Sequence, residues 1–263
     1  MSPAGFSPKA VFAVVRELRA TGELGPIVVA GAPALVPLLA KELRAGGDAS
    51  AVREDGSLDG ASALVYVLSA APTDDDLATL RRSDLDEIPI VCVARPGVDE
   101  VPYVLATDLV HVGGGSGFPI DAIAQVLARQ LGERGSALAR RLPVLRRAAC
   151  EQLVSSFSRR NGILAAAIFV PGADMPVLTL NQIRLVVRIA QAYGHELDRD
   201  RLLELLPVIA TGLGLRAVAR QLLDVVPVAG WALKGALGYA GTRAVGEAAV
   251  RYFEAGGPAV VKR

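Results

Sequence analysis

Three short segments that are apolar throughout, at residues 26–31, 63–68 and 88–93, constrain the fold of this chain more than any other feature. Strands with apolar side chains on both faces are typical of parallel sheets, because helices cover both faces of such sheets. A fourth strand is predicted at residues 108–112, and a short one at 51–53. Segments with helical spacing follow the strands, at residues 32–44, 74–82 and 119–131. This alternation predicts an α/β fold with a doubly wound, mainly parallel sheet.

Beyond Gly132 the pattern changes to helices only, and Pro143 is the main breaker in the first of them. The helical segments predicted there are residues 136–157, 161–170, 178–193, 198–211, 215–225 and 231–254. A further helix is predicted to begin at Ser7-Pro8, where serine caps and proline fits the first turn. The sequence therefore predicts an α/β domain at residues 1–132 and a C-terminal all-α domain at residues 133–263.

The net charge of +1 conceals opposite charges on these two parts. Residues 1–132 contain 10 Lys and Arg against 17 Asp and Glu, a net charge of −7. Residues 133–263 contain 18 Lys and Arg against 10 Asp and Glu, a net charge of +8. Such asymmetry indicates two modules, and the basic one is suited to an anionic surface.

The longest uncharged stretches, at residues 25–40, 61–73 and 161–173, are shorter than the ~18 to 20 apolar residues of a spanning helix. We therefore predict no ordinary transmembrane helix, and the N-terminal segment does not read as a signal peptide. Cys92 and Cys150 lack the spacing of metal ligands and are expected to be small buried hydrophobic residues. A reduced, cytoplasmic setting is expected, and no metal or cofactor.

A turn from strand to helix after Gly31 stands where a phosphate-binding loop would lie. Such a loop reads G-x-x-x-x-G-K-[ST], but the segment after Gly31 lacks the second glycine, the lysine and the hydroxyl. Helix N-termini also bind anions through backbone N–H groups. Pro33 and Pro37 remove two of those donors here. The scaffold of a nucleotide-binding domain is therefore predicted without its chemistry, and an enzyme is not expected.

The order of elements from residue 26 to 132 resembles a small Ras-like bacterial GTPase domain. The strand at 63–69 followed by Thr73-Asp74-Asp75-Asp76 is similar to the strand after switch II and its "T-x-x-D" helix. The segment Ala94-Arg95-Pro96-Gly97 stands where that family has N-K-x-D for guanine, without the Asn and Asp. Residues 110–117, with Ser116, stand where the "S-A" guanine loop would be, and the D-x-x-G of switch II is missing. The resemblance implies a GTPase-like domain that has lost its function.

The second half resembles the helical domain of unknown function at the C-terminus of YcjF-like proteins. The matching stretches are residues 168–176, 178–182, 190–194, 226–230, 242–247 and 252–253. This resemblance covers about residues 136–256 and implies a helical, often membrane-associated domain that follows a GTPase domain.

Basic residues crowd the start of the helical half, where only Glu151 opposes them between residues 134 and 160. Those predicted to contact a membrane or partner are Arg140, Arg141, Arg146, Arg147, Arg159 and Arg160. Arginines beside apolar helical surface suit anionic lipid. The alternative is a solvated helix face that pairs with the acidic N-terminal half. Nucleic acid is not expected, since Phe157 is the only aromatic residue of this stretch available for stacking on bases.

The predicted function is a non-catalytic, pseudo-GTPase-like scaffold or adaptor. Its helical domain would associate with an anionic membrane surface, at the inner face of the cell membrane, or with a protein partner such as a genuine GTPase. One alternative is a divergent NTP-binding switch protein that uses non-standard residues. Another is a soluble protein-interaction scaffold whose apolar helices only form a core.

Overall fold

The computed structural model describes residues 24–113, 117–167, 174–195 and 230–256. Two compact units divide the chain: Glu23–Gln152, and a second that contains the described residues from Leu153 onward. The predicted helices at Ser7, 198–211 and 215–225 lie outside the described residues.

The first unit is built on a five-stranded sheet in which every neighbouring pair is parallel. Its strands are β1 (Ile27–Gly31), β2 (Val52–Arg53), β3 (Ala63–Leu68), β4 (Ile90–Ala94) and β5 (Leu109–His111). Their order across the sheet is β2-β1-β3-β4-β5. All residues of β3 and β4 are buried. The prediction of an α/β fold with a parallel sheet is therefore confirmed.

Three helices accompany the sheet: α1 (Val36–Leu43), α2 (Asp74–Leu85) and α3 (Ile120–Leu131). The connection from β1 to β2 and that from β3 to β4 run in opposite directions across the sheet. Right-handed crossovers then place α1 and α2 on opposite faces, as in doubly wound folds. Side chains alternate between these faces along each strand. Tyr66 and Cys92 lie on the face that packs with Leu80 of α2.

Helix α1 begins at Val36, four residues later than predicted. The carbonyl of Ala32 accepts hydrogen bonds from the N–H groups of Leu35 and Val36, so the chain makes a turn before the helix starts. Pro37 lies in the first helical turn, where a missing N–H group costs nothing.

The remaining described elements are helices: α4 (Gly135–Arg141), α5 (Arg146–Ala167), α6 (Asp174–Ala192) and α7 (Gly230–Glu254). The prediction of a single helix at 136–157 was wrong. The helix is interrupted because Leu142, before Pro143, adopts an extended backbone with φ −120° and ψ 95°. Proline disfavours helical geometry in the residue before it. A short 3₁₀ turn at Pro143–Leu145 follows, and α5 then continues without a break from Arg146 into the second predicted segment, as far as Ala167. Within the described ranges, every helix is too short or too polar to cross a membrane.

Candidate functional sites

The sheet order places the natural ligand position of this fold between β1 and β3. In a β2-β1-β3-β4-β5 sheet the strand order reverses direction there, and ligands of such folds bind outside the carboxyl ends of the strands. The turn after Gly31 therefore lies at the place where a doubly wound sheet binds its ligand. Whether it can hold a phosphate depends on its backbone N–H groups.

Most of the backbone N–H groups of this turn already donate hydrogen bonds to carbonyl groups of the chain. Ala32 N–H donates to the carbonyl of Val67 at 2.8 Å, which ties the turn to the end of β3. The N–H groups of Leu35 and Val36 donate to the carbonyl of Ala32, and Pro33 and Pro37 have none. Across residues 32–37 only Ala34 is left as a donor, whereas a phosphate needs several converging ones.

The same turn approaches the neighbouring strand so closely that only glycine fits. Gly31 has φ +109°, and a Cβ added there would lie 2.2 Å from the carbonyl oxygen of Val67. The left-handed backbone and the close approach both require glycine. Packing between two strands is therefore sufficient to explain this glycine.

The segment after β4, at the position of the guanine-recognition motif, carries no amide or carboxylate at its tip. Arg95, Pro96 and Gly97 are exposed, and Val98 N–H donates to the carbonyl of Arg95 at 3.3 Å to close a turn. His111 at the end of β5 contacts the carbonyl oxygen of Val98 through Nε2 at 3.1 Å. These contacts order the segment internally.

The T-x-x-D segment caps α2 and anchors it to the sheet. Thr73 and Asp76 form a reciprocal capping box, and Tyr66 Oη donates to Asp76 Oδ1 at 2.6 Å. Burial would raise the pKa of Asp76, but the hydrogen bonds from Tyr66 and Thr73 outweigh it and lower the pKa. Burial, with the adjacent Asp76 carboxylate, raises the pKa of Tyr66. The segment therefore has a structural role, because it caps α2 and holds the start of this helix against β3.

Asp74 and Asp75 lie in the first turn of α2, where acidic side chains stabilise the helix start. In the described part of the chain, no group of His, Cys, Asp and Glu side chains is arranged to hold a metal ion. Burial raises the pKa of the Cys92 thiol to about 12, with a smaller effect from Asp76. Cys92 and Cys150 are both buried, as predicted.

Arg141 is engaged within the first unit. Its Nε donates to Asp48 Oδ2 at 2.9 Å, its Nη2 to Ser50 Oγ at 3.0 Å and its Nη1 to the carbonyl of Leu24 at 3.2 Å. Hydrogen bonds from Ser50, reinforced by Arg141, lower the pKa of Asp48 to about 2. Its hydrogen bonds to Asp48 and Ser50 therefore hold the end of α4 against the loop after α1.

The other predicted contact residues differ in their surroundings. In the first unit, Arg140 is exposed, Arg146 Nε donates to the carbonyl of Ala139 at 3.3 Å, and Arg147 pairs with Glu151 at 3.0 Å. In the second unit, Arg159 and Arg160 are both exposed near the carboxyl end of α5. The guanidinium of Arg160 lies 5.1 Å from the centroid of the Phe157 ring.

A buried polar network in the second unit escaped the sequence reasoning. Asn161 Nδ2 donates to Thr242 Oγ1 at 2.8 Å, and Asn181 Nδ2 donates to Asn161 Oδ1 at 2.8 Å. Gln182 Nε2 donates to Thr242 Oγ1 at 3.3 Å, and Thr242 Oγ1 donates to the carbonyl of Gly238 at 2.8 Å. Asn161, Gln182 and Thr242 are fully buried. The network joins α5, α6 and α7.

Glycines let the backbones of α5 and α7 approach each other beside this network. A Cβ added to Gly162 would lie 3.2 Å from the carbonyl oxygen of Gly235, and one added to Gly238 would lie 2.8 Å from that of Asn161. The glycine-bearing face of α7 therefore packs on α5 at Gly235 and Gly238.

Residues 129–258 match the model of a family described as a domain of unknown function, DUF697. The match begins in α3 and ends just after α7, so it includes all four later helices. It supports the resemblance of the helical half to the YcjF-like C-terminal domain. No curated protein and no solved structure gives a significant match to this chain.

Within the DUF697 match, one sequence signal could have revealed the buried network. Gln182 lies one helical turn before Val186, and Ile183 and Val187 lie next to these two residues in an apolar stretch of α6. An amide on an apolar face predicts a buried partner, because an unpaired buried amide is costly. The partners themselves, Asn161 and Thr242, are far apart in sequence and could not be paired from it.

Proposed function

We propose that this protein is a non-catalytic, pseudo-GTPase-like scaffold or adaptor. Its α/β unit has the strand order of a ligand-binding doubly wound sheet, and its helical half associates with an anionic membrane surface or a protein partner. The observation that carries the proposal is the state of the turn after Gly31, where hydrogen bonds and prolines occupy the positions of the phosphate donors. The protein would act by binding a membrane or a partner protein through its surfaces.

The exposed arginines support the second part of this proposal. Arg140, Arg147, Arg159 and Arg160 are exposed, whereas Arg141 is held by Asp48 and Ser50. Each basic residue near an anionic bilayer contributes about 1 kcal/mol. Two exposed arginines therefore remain in each unit, and in the first unit Arg147 is paired with Glu151.

Exposed apolar residues of the α/β unit favour a second candidate, a protein-interaction scaffold. Tyr103 and Leu105 are 45% and 69% exposed, next to the exposed carboxylates of Asp99 and Glu100. Tyrosine is enriched among the residues that dominate binding at protein interfaces. A partner with an apolar pocket and a basic rim would fit this surface.

Calorimetric titration of the full-length protein with Mg²⁺-GTP and Mg²⁺-ATP tests the first part of the proposal. We expect no saturable binding and no phosphate release above the buffer blank. Saturable binding would instead support a divergent NTP-binding switch. In that case a bulky substitution at the exposed Ala70, just beyond the carboxyl end of β3, would tell whether the nucleotide binds at this edge of the sheet.

A further inference from the structure

Three helix segments of the second unit lie at the same level and form what we call the apolar end. Asn161 Nδ2 donates to the carbonyl of Leu178 at 3.3 Å, which sets the first turns of α6 beside the last turns of α5. A Cβ on Gly162 would lie 3.2 Å from the carbonyl oxygen of Gly235, which sets the first turns of α7 at the same level. The apolar end thus comprises residues 159–167, 177–180 and 232–239.

Large apolar side chains are exposed on the apolar end. Ile163 is 69% exposed and Val177 is 42% exposed, and these are the exposed large hydrophobic residues of the described helical unit. Ala167 of α5 and Ala232 and Ala236 of α7 are also exposed within these segments.

Cations outnumber acids in the described segments around the apolar end. Residues 153–167, 174–183 and 230–242 contain three cations, Arg159, Arg160 and Lys234, and one acid, Asp174. Arg159 and Arg160 lie on α5 four and three residues before Ile163, so both are close to the face that carries it. The rest of α7, residues 243–254, contains two cations and two acids, and Glu247 there pairs with Arg243 at 2.7 Å.

We propose that the apolar end docks on the surface of an anionic lipid bilayer. Ile163 and Val177 would enter the headgroup region, and Arg159 and Arg160 would bind lipid phosphate groups. Aliphatic side chains beside cations are the composition of interfacial membrane contacts, whereas protein hot spots favour aromatic anchors in pockets. The proposal rests on the membrane association in the proposed function, and it names the surface and the ligand.

Flotation of the full-length protein with vesicles tests this site. The probes are vesicles of phosphatidylcholine alone and vesicles with added phosphatidylglycerol, each at low and high salt. We expect the wild type to float with the anionic vesicles. Ile163→Glu should weaken that binding about tenfold or more, because its apolar contact is lost. Arg159→Gln and Arg160→Gln should each weaken it about fivefold at low salt.

Leu85→Glu is the matched control, since Leu85 is 71% exposed on α2 of the other unit and should leave flotation unchanged. Circular dichroism of each variant verifies folding, and Ile163→Ala provides a milder change at the same exposed position. Wild-type flotation that survives Ile163→Glu, Ile163→Ala and Val177→Glu would overturn this site while leaving membrane association in place. Failure of the wild type to float would overturn both the site and membrane association, and would favour a protein partner.

Discussion

The two units of this protein differ in the kinds of side chain that fill their interiors. In the α/β unit, β3 and β4 bury aliphatic side chains on both faces, and Tyr66 places its hydroxyl on Asp76 near the surface. In the helical unit, Asn161, Gln182 and Thr242 are fully buried, and glycines replace side chains where α5 meets α7. The sheet of the first unit packs against α2 through a cluster of mainly apolar side chains, and the burial of apolar area is non-directional. The second depends in addition on hydrogen bonds that require one relative placement of three helices.

The largest expected effect therefore comes from breaking the buried network. Asn161→Ala would leave the buried amide of Asn181 without its acceptor and would remove one of the two amide donors to the Thr242 hydroxyl. We expect a loss of about 3 kcal/mol in the free energy of unfolding, because buried unpaired polar groups lose water without compensation. Chemical denaturation followed by circular dichroism measures this change.

Ser158→Ala provides the contrast on the same helix. Ser158 is fully buried, and its Oγ has no hydrogen-bond partner in the part of the chain that the structure describes. Its removal should be neutral or stabilising. Equal destabilisation by the two substitutions would show that helix packing, and not the network, sets the stability of this unit.

A smaller effect is expected in the α/β unit from Tyr66→Phe. This change removes the hydrogen bond to Asp76 and should cost about 1 kcal/mol at neutral pH. The pKa of Asp76 is lowered in the folded protein, so its carboxylate stabilises the fold above the ordinary aspartate pKa of about 3.9. That contribution is lost as the pH falls through the lowered pKa, and the difference between variant and wild type should narrow below about pH 4.

Denaturation of both proteins across this pH range is the measurement. Tyr103→Phe serves as control, since the Tyr103 side chain is 45% exposed. A difference between Tyr66→Phe and wild type that does not change with pH would rule out Asp76 as the group that acts.

The smallest effect is expected at a turn where the α/β unit carries strain. Val104 N–H donates to the carbonyl of Val101 at 3.1 Å, with Pro102 and Tyr103 between them. Tyr103 has φ +68°, at the third position of a turn where glycine is favoured after proline. Tyr103→Gly should therefore stabilise the protein by about 0.5 kcal/mol, after the entropy cost of glycine is subtracted.

Ala106→Gly, at an exposed position without a positive φ, should instead destabilise by a similar amount. Thermal unfolding of the two variants compares the signs. A loss of stability in Tyr103→Gly would mean that contacts of the tyrosine ring outweigh the backbone strain.

The sheet could be predicted from the sequence because its strands are short apolar runs. Residues 63–68 and 88–93 lie within two residues of β3 and β4 at every end. The break between α4 and α5 is also encoded locally, by Pro143, although one continuous helix was predicted there from the sequence. Local patterns of this kind depend on a few consecutive residues, so they can be recognised without knowledge of the fold.

The candidate sites were less predictable, because they depend on contacts between distant residues. Arg141 looked like its neighbours in sequence, but Asp48 and Ser50 lie about ninety residues earlier and hold it in the structure. Gly31 resembled the start of a phosphate loop, whereas its close neighbour is Val67. Long-range partners of single side chains are not encoded in periodicity, and they decide which residues remain at the surface.

The outer strands of the sheet have a consequence for how this unit meets other proteins. β2 has two residues and β5 has three, so each edge exposes only a few unpaired backbone groups. Short edge strands are one of the ways in which sheets avoid templating a further strand. Extension of the sheet by a partner's strand is therefore disfavoured, and so is edge-to-edge aggregation. Recognition by this unit is left to the side chains of its loops and helices.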